Sequence, residues 1–184
     1  DLKLALRDRI TRPLGIADTG WDIGYGRSYE VDGLPLYATW GGGSFTARAA
    51  ARIGLMLLQR GEVEGRRLFP AALVDRLLAD AGMPVQDRSS GDPAPRSALG
   101  WWINTDGIWP GVPRDAFAGA GAGHQTLIVI PSLDLVVVRF GQALNGTQPA
   151  RGFWTPIIDD ILRPLMDAVD VRGVLAGERF QLGL

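Results

Sequence analysis

Gln125-Thr126-Leu127-Ile128-Val129-Ile130-Pro131-Ser132-Leu133-Asp134-Leu135-Val136-Val137-Val138-Arg139-Phe140 holds two apolar, β-branched runs on either side of Pro-Ser-Leu-Asp. Proline cannot donate to a strand ladder and Asp favours turns, so the stretch predicts a hairpin. Both arms are apolar at consecutive positions and do not alternate. A sheet built from them is therefore covered on both faces, most simply by helices. One cover follows directly. Trp154, Ile157, Ile158, Ile161, Leu162 and Leu165 recur at spacings of three and four, with Pro156 near the start and Pro164 placed to kink or end the helix.

Working back from the hairpin, Phe117-Ala118-Gly119-Ala120-Gly121-Ala122-Gly123-His124 leads into its first arm, and Leu99-Gly100-Trp101-Trp102-Ile103 reads as a strand. Asp106-Gly107 and Pro110-Gly111 mark turns between them. Residues 82–97 are rich in Gly, Pro, Ser, Asp and Arg, which predicts an exposed, flexible loop. Further upstream, Leu73, Val74, Leu77 and Leu78 form one face of a short helix with Pro70 at its first position, after a turn at Glu62-Val63-Glu64-Gly65. Ser44 or Thr46 caps a helix running from Ala47 to Gln59, closed by Gly61 in the left-handed conformation. Residues 16–43 read as loops with one or two short strands and turns at Asp32-Gly33 and Gly41-Gly42-Gly43. Leu2, Leu6, Ile10 and Leu14 give a first helix of about three turns, stopped by Pro13 and Gly15. Periodicity fades after Asp170, so residues 1–168 are expected to fold and 169–184 to form a tail.

The 184 residues are 46% hydrophobic and 21% charged, with a net charge of -1. That composition suits a globular chain with a core and offers no basic field for nucleic acid. No apolar run reaches the 18 or so residues of a membrane span. The first residues are not a signal peptide, and an amphipathic pattern is already running at Leu2 without an initiating Met. This start is expected to be a cut through a longer protein. There is no Cys; among 19 basic residues only Lys3 is Lys, and His124 is the sole His. A zinc site would need mostly carboxylates, an uncommon set, so neither metal nor cofactor is expected.

Arg12-Pro13-Leu14-Gly15-Ile16 at a helix end, Gly41-Gly42-Gly43-Ser44-Phe45-Thr46-Ala47-Arg48 opening a helix, the turn from Arg60 to Leu68, Gly100-Trp101-Trp102, and Gly121-Ala122-Gly123-His124-Gln125 before a hairpin follow one another in this order. Over residues 1–168 that succession resembles the C-terminal half of the β-lactamase-related serine hydrolases and penicillin-binding proteins. The resemblance implies an α/β fold of the α+β type: a mixed, largely antiparallel sheet with the C-terminal hairpin, flanked by helices on both faces, lacking its N-terminal part. It also implies an acyl-enzyme mechanism in which the Ser of Ser-x-x-Lys attacks a carbonyl and Lys and the Tyr of Tyr-x-Asn move protons. None of Ser28, Ser44, Ser89, Ser90, Ser97 and Ser132 has Lys three residues on, and none of Tyr25, Tyr29 and Tyr37 has Asn two residues on. No catalytic residue is expected within this chain; the nucleophile and base are expected upstream, on the N-terminal half of the protein as partner. The resemblance favours a periplasmic or secreted location without excluding the cytoplasm.

In this reading the chain supplies a pocket wall for a small ester or amide. Gly119, Ala120, Gly121, Gly123 and His124 occupy the place of the family's third motif, where a strand edge gives a backbone N–H to the oxyanion and small residues let a carbonyl approach. The Lys-Thr-Gly of β-lactam-binding members is missing, which favours ester or peptide-like acyl transfer. The same residues also fit a Gly-rich turn where a sheet packs tightly; a phosphate loop is set aside because a strand, not a helix, follows. His124 fits a pocket-lining or supporting role better than a catalytic one, since a His at a strand start commonly bonds a neighbouring carbonyl. Trp40, Trp101 and Trp102 are candidate pocket-lining residues, although neighbouring strand residues point to opposite faces and one of the Trp pair belongs in a core. Two other readings stay open: a non-catalytic binding or regulatory module of the same fold, and a free-standing hydrolase using a Ser or Thr with His124.

Overall fold

The computed structural model describes residues 1–144 and 152–169. They fall into two compact units that divide between Ala71 and Ala72. In the first, helix α1 (Leu2–Leu6) is capped by Asp1, whose carboxylate accepts the Leu4 N–H at 3.2 Å. It widens into a π turn over Arg7–Thr11, closed by Arg12 N–H donating to Arg7 O at 2.9 Å. Pro13 next in line has no N–H to continue the ladder, and Gly15 at φ 64° ends the run. Strands β1 (Trp21–Asp22), β2 (Tyr29–Val31), β3 (Leu34–Leu36) and β4 (Ser44–Phe45) are short. β1 pairs with β4, and β2 with β3 across the expected Asp32-Gly33 turn.

Helix α2 (Ala47–Leu58) is capped by Thr46, which accepts the Ala49 N–H at 3.2 Å. Ser44, the other candidate cap, lies in β4 two residues too early to reach that N–H. At its end Gly61 N–H donates to Met56 O and Arg60 N–H to Leu57 O, so the left-handed residues closing the helix are Arg60 and Gly61 together. The expected turn at 62–65 is the tip of a small hairpin, β5 (Glu62–Val63) with β6 (Arg66–Arg67).

Helix α3 (Ala71–Leu78) starts one residue after Pro70; Val74 is its buried residue and Leu73 is exposed. The second unit is built on a five-stranded sheet of β7 (Arg96–Ser97), β8 (Trp102–Ile103), β9 (Phe117–Gly121), β10 (Gln125–Ile130) and β11 (Leu135–Arg139), in the spatial order β11-β10-β9-β8-β7. Every described pairing in it is antiparallel. The expected hairpin is β10–β11, with Asp134 in the left-handed turn position at φ 50° and the Asp115 carboxylate accepting from Ser132 N–H and Oγ–H. Residues 99–101, expected as strand, are the connection between β7 and β8, where Gly100 takes φ 80°.

β10 is buried along both faces, as its unbroken apolar run requires, whereas the edge strand β11 is only half-buried. On one face Trp102, Ala118, Ile128 and Val137 pack with Trp154, Ile157, Ile158 and Leu162. These last residues lie on α4 (Trp154–Ile157) and the π turn Ile158–Leu162, which continue into α5 (Arg163–Ala168). Pro164 therefore does not end the helix: the wide turn before it absorbs the missing bond. On the opposite face Ile103, Phe117 and Val129 are also buried. Loop 82–97 is exposed as far as Gly91 except at Arg88, and then turns inward at Ala94 and Pro95. The tail expected from 169 lies, beyond Val169, outside the described residues.

Candidate functional site

The Gly/Ala run is itself a strand. β9 pairs along its whole length with β10, from Phe117 opposite Val129 to Gly121 opposite Gln125, but β8 pairs only with Phe117 and Ala118. Gly119, Ala120 and Gly121 run on past the end of β8. Among the described residues their edge away from β10 has no partner strand, and the backbone there is open. Gly119 and Ala120 are half-buried and Gly121 is exposed. A Cβ at Gly121 would meet nothing within 4 Å, whereas one at Gly119 would stand 3.4 Å from the Trp101 ring. Trp101 packs edge-on against Phe117, with ring centroids 5.5 Å apart, so it borders this open edge. Trp102 points to the other face and meets Trp154 at 5.4 Å against the core, so of the pair only Trp101 stands beside this edge.

Ala122, Gly123 and His124 turn the chain into β10, with Gly123 at φ 69° and His124 at φ 60°. Three side chains staple this turn. Gln125 Nε2 donates to Gly123 O at 3.1 Å and Gly141 O at 2.7 Å, and its Oε1 accepts Gly141 N–H at 2.8 Å. Arg139 Nη1 donates to Gly123 O and His124 O at 3.1 and 3.3 Å, and its other terminal nitrogen bonds Gln142 O. His124, 4% exposed, stacks on Phe153 with centroids 5.2 Å apart and accepts Leu144 N–H on Nδ1 at 3.1 Å. Accepting that N–H makes Nδ1 the bare nitrogen of the ring, and among the described residues Nε2 is buried without a partner.

Asp92 completes the frame from 60 residues away. Its carboxylate accepts Phe153, Trp154 and Thr155 N–H at 3.0, 2.8 and 3.0 Å, and so caps α4 from the far end of the 82–97 loop. Gln125 stood inside a quoted motif, but Arg139 and Asp92 were missed. An Arg closing an apolar arm was the available signal for the first. Nothing local marked Asp92, because its partners exist only in the folded chain.

Trp40 lies in the first unit, 84% exposed, beside a cleft of about 430 Å³ lined by Gly24, Tyr25, Arg27, Tyr29 and Ala38 as well. Among the described residues no group of three or more His, Asp or Glu side chains is placed to hold a metal ion, and no helix is long and apolar enough to cross a membrane.

An antiparallel sheet backed by a C-terminal helix, with a small-residue strand left open at its edge, matches a known family along most of the chain: the model described as Beta-lactamase aligns with residues 1–157. The chain belongs to the β-lactamase family. The 6-aminohexanoate-dimer hydrolase of Paenarthrobacter ureafaciens is 31% identical over 133 residues, a match covering 70% of this chain and 32% of that protein. Two solved structures share the fold at 18% identity. Simvastatin synthase (LovD) from Aspergillus terreus superposes with a TM-score of 0.62 over 95% of this chain and 50% of its own. A penicillin-binding protein homologue from Caulobacter crescentus gives 0.50 over 74% and 46%. This β-lactamase-family chain thus spans between a third and a half of the length of these relatives. The expected fold, a β-lactamase/transpeptidase-like α/β arrangement, is the one observed.

Proposed function

We propose that this chain supplies the oxyanion-binding wall of a β-lactamase-family serine hydrolase that cleaves a small ester or amide through an acyl-enzyme. The observation that carries the reading is the edge of β9 at Gly119, Ala120 and Gly121, which beyond the end of β8 has no partner strand among the described residues. Backbone N–H groups held on a rigid strand are suited to the charge that develops on a carbonyl oxygen, because they need no reorganisation during the reaction. The absence of side chains at Gly119 and Gly121 lets the carbonyl come close, and Trp101 borders the approach. Gln125, Arg139 and His124 act on the reaction only by fixing the turn that follows.

The serine, its lysine and the tyrosine are assigned to sequence outside these residues, since Lys3 as the single lysine leaves no Ser-x-x-Lys here. Ser132 and Thr46 have structural duties: the first donates to Asp115 and the second caps α2. The test is labelling by a serine-reactive fluorophosphonate, on the complete protein and on residues 1–184, beside an acyl-ester hydrolysis assay. Label confined to the complete protein supports the reading. Label on residues 1–184 overturns it, and a complete protein that neither labels nor hydrolyses would favour the non-catalytic module.

A further inference from the structure

The first unit contains a strained turn that the acyl-enzyme reading does not use. Gly24, Tyr25 and Gly26 take φ of 61°, 60° and 68° in succession. Glycine accepts this freely, but a tyrosine in left-handed geometry costs about 1–2 kcal/mol and persists only where its surroundings enforce it. Here they do: Tyr25 N–H donates to Gly42 O at 3.0 Å, and the Tyr25 ring lies so close over Gly42 that a Cβ there would stand 2.5 Å from the ring and from Tyr25 N. The strain does not bury the ring, because Tyr25 is 63% exposed. It holds an aromatic face out at the rim of the 430 Å³ cleft, where Tyr29, 61% exposed, and Trp40 stand as well. Isolated exposed rings are ordinary; three around one concavity are the composition of a binding site.

The same cleft holds one charge. Arg27 is exposed, and among the described residues it has no carboxylate partner and no ring beneath it; no acidic residue lines the cleft. A planar guanidinium without a partner matches a carboxylate through two parallel N–H donors. The geometry points to this cleft as a binding site for a small aromatic carboxylate, its ring against Trp40 and Tyr25 and its carboxylate on Arg27. The site is built wholly from residues 24–40 and does not depend on the acyl-enzyme reading, which fluorophosphonate labelling tests separately.

Benzoate and its neutral isostere benzamide, titrated into the complete protein by calorimetry and tryptophan fluorescence, decide the matter. Saturable binding is expected, with benzoate preferred over benzamide. Arg27→Gln is expected to weaken benzoate about tenfold and leave benzamide unchanged, as for a lost charge-assisted hydrogen bond. Trp40→Leu, a change at an exposed position that spares the fold, is expected to weaken both ligands. The proposal is overturned if benzoate does not saturate, if Arg27→Gln leaves the preference for benzoate intact, or if Trp40→Leu binds both ligands like the parent. Unchanged fluorophosphonate labelling in Arg27→Gln keeps these outcomes separate from the catalytic reading.

Discussion

Two glycine-rich stretches, Gly41-Gly42-Gly43 and Gly119 to Gly123, look alike in sequence and are opposites in the folded chain. Gly42 is glycine because nothing else fits: its φ is 73° and the place of a Cβ is already taken by Tyr25. Gly121 has ordinary extended geometry, pairs with Gln125, and has empty space where a Cβ would go. The first absence of a side chain is filled from within the protein. The second is left unfilled, and an unfilled position beside an unpaired strand edge is where a ligand has room. Glycine enrichment alone says that something approaches the backbone; only the surroundings say whether that is the protein itself.

The contrast can be broken most directly at Gly42. Gly42→Ala combines left-handed strain with overlap on the Tyr25 ring, and is expected to cost about 3 kcal/mol in chemical denaturation. A loss below about 1 kcal/mol would mean that the turn at Tyr25 yields easily and that the two stretches differ little. Gly121→Val addresses the other side. It is expected to leave the melting temperature unchanged while lowering kcat/KM for ester hydrolysis by the complete protein about 100-fold, the scale of a lost oxyanion contact. A destabilised variant, or a stable one of full activity, would remove Gly121 from the pocket wall.

Smaller effects sharpen the comparison through the residues that hold each stretch. Gln125→Leu removes the staple between the turn after β9 and Gly141 and orphans those backbone groups; about 2 kcal/mol of stability should be lost, with hydrolysis reduced through kcat more than KM. Equal shifts in the two kinetic constants would argue against a positioning role. Thr46→Ala, at the cap that follows the first stretch, should cost about 1 kcal/mol and leave hydrolysis unaltered. An activity loss larger than the stability loss would give the first stretch a part in the chemistry.

Most of the fold was legible locally. The β10–β11 hairpin followed from two apolar runs and a Pro-Ser-Leu-Asp turn, and α2 from a cap, a periodic face and a left-handed close. The errors fell where short segments could go either way. Leu99-Gly100-Trp101 has strand composition, but Gly100 in a left-handed turn sets β7 back on β8. Pro164 was placed to kink or end its helix, and between those outcomes a π turn just ahead of it decides by carrying the helix through. The nearly identical Ile-x-Arg-Pro-Leu at 10–14 does end its helix, because Gly15 follows where Met166 continues the other.

The site was less legible than the fold. Residue types and their order were enough to single out the small-residue run before the hairpin, to point to the family, and to exclude Ser-x-x-Lys from the chain, since a missing residue is missing in any conformation. The tertiary structure alone decided that β8 stops short and leaves the Gly119–Gly121 edge open, that His124 is a buried hydrogen-bond acceptor, and that Asp92 reaches across 60 residues to hold α4. The division has a physical cause. Periodicity, caps and turns are set by neighbours within a few residues, whereas an unpaired edge or a distant cap depends on where strands end and loops return, which is fixed only when the whole core packs.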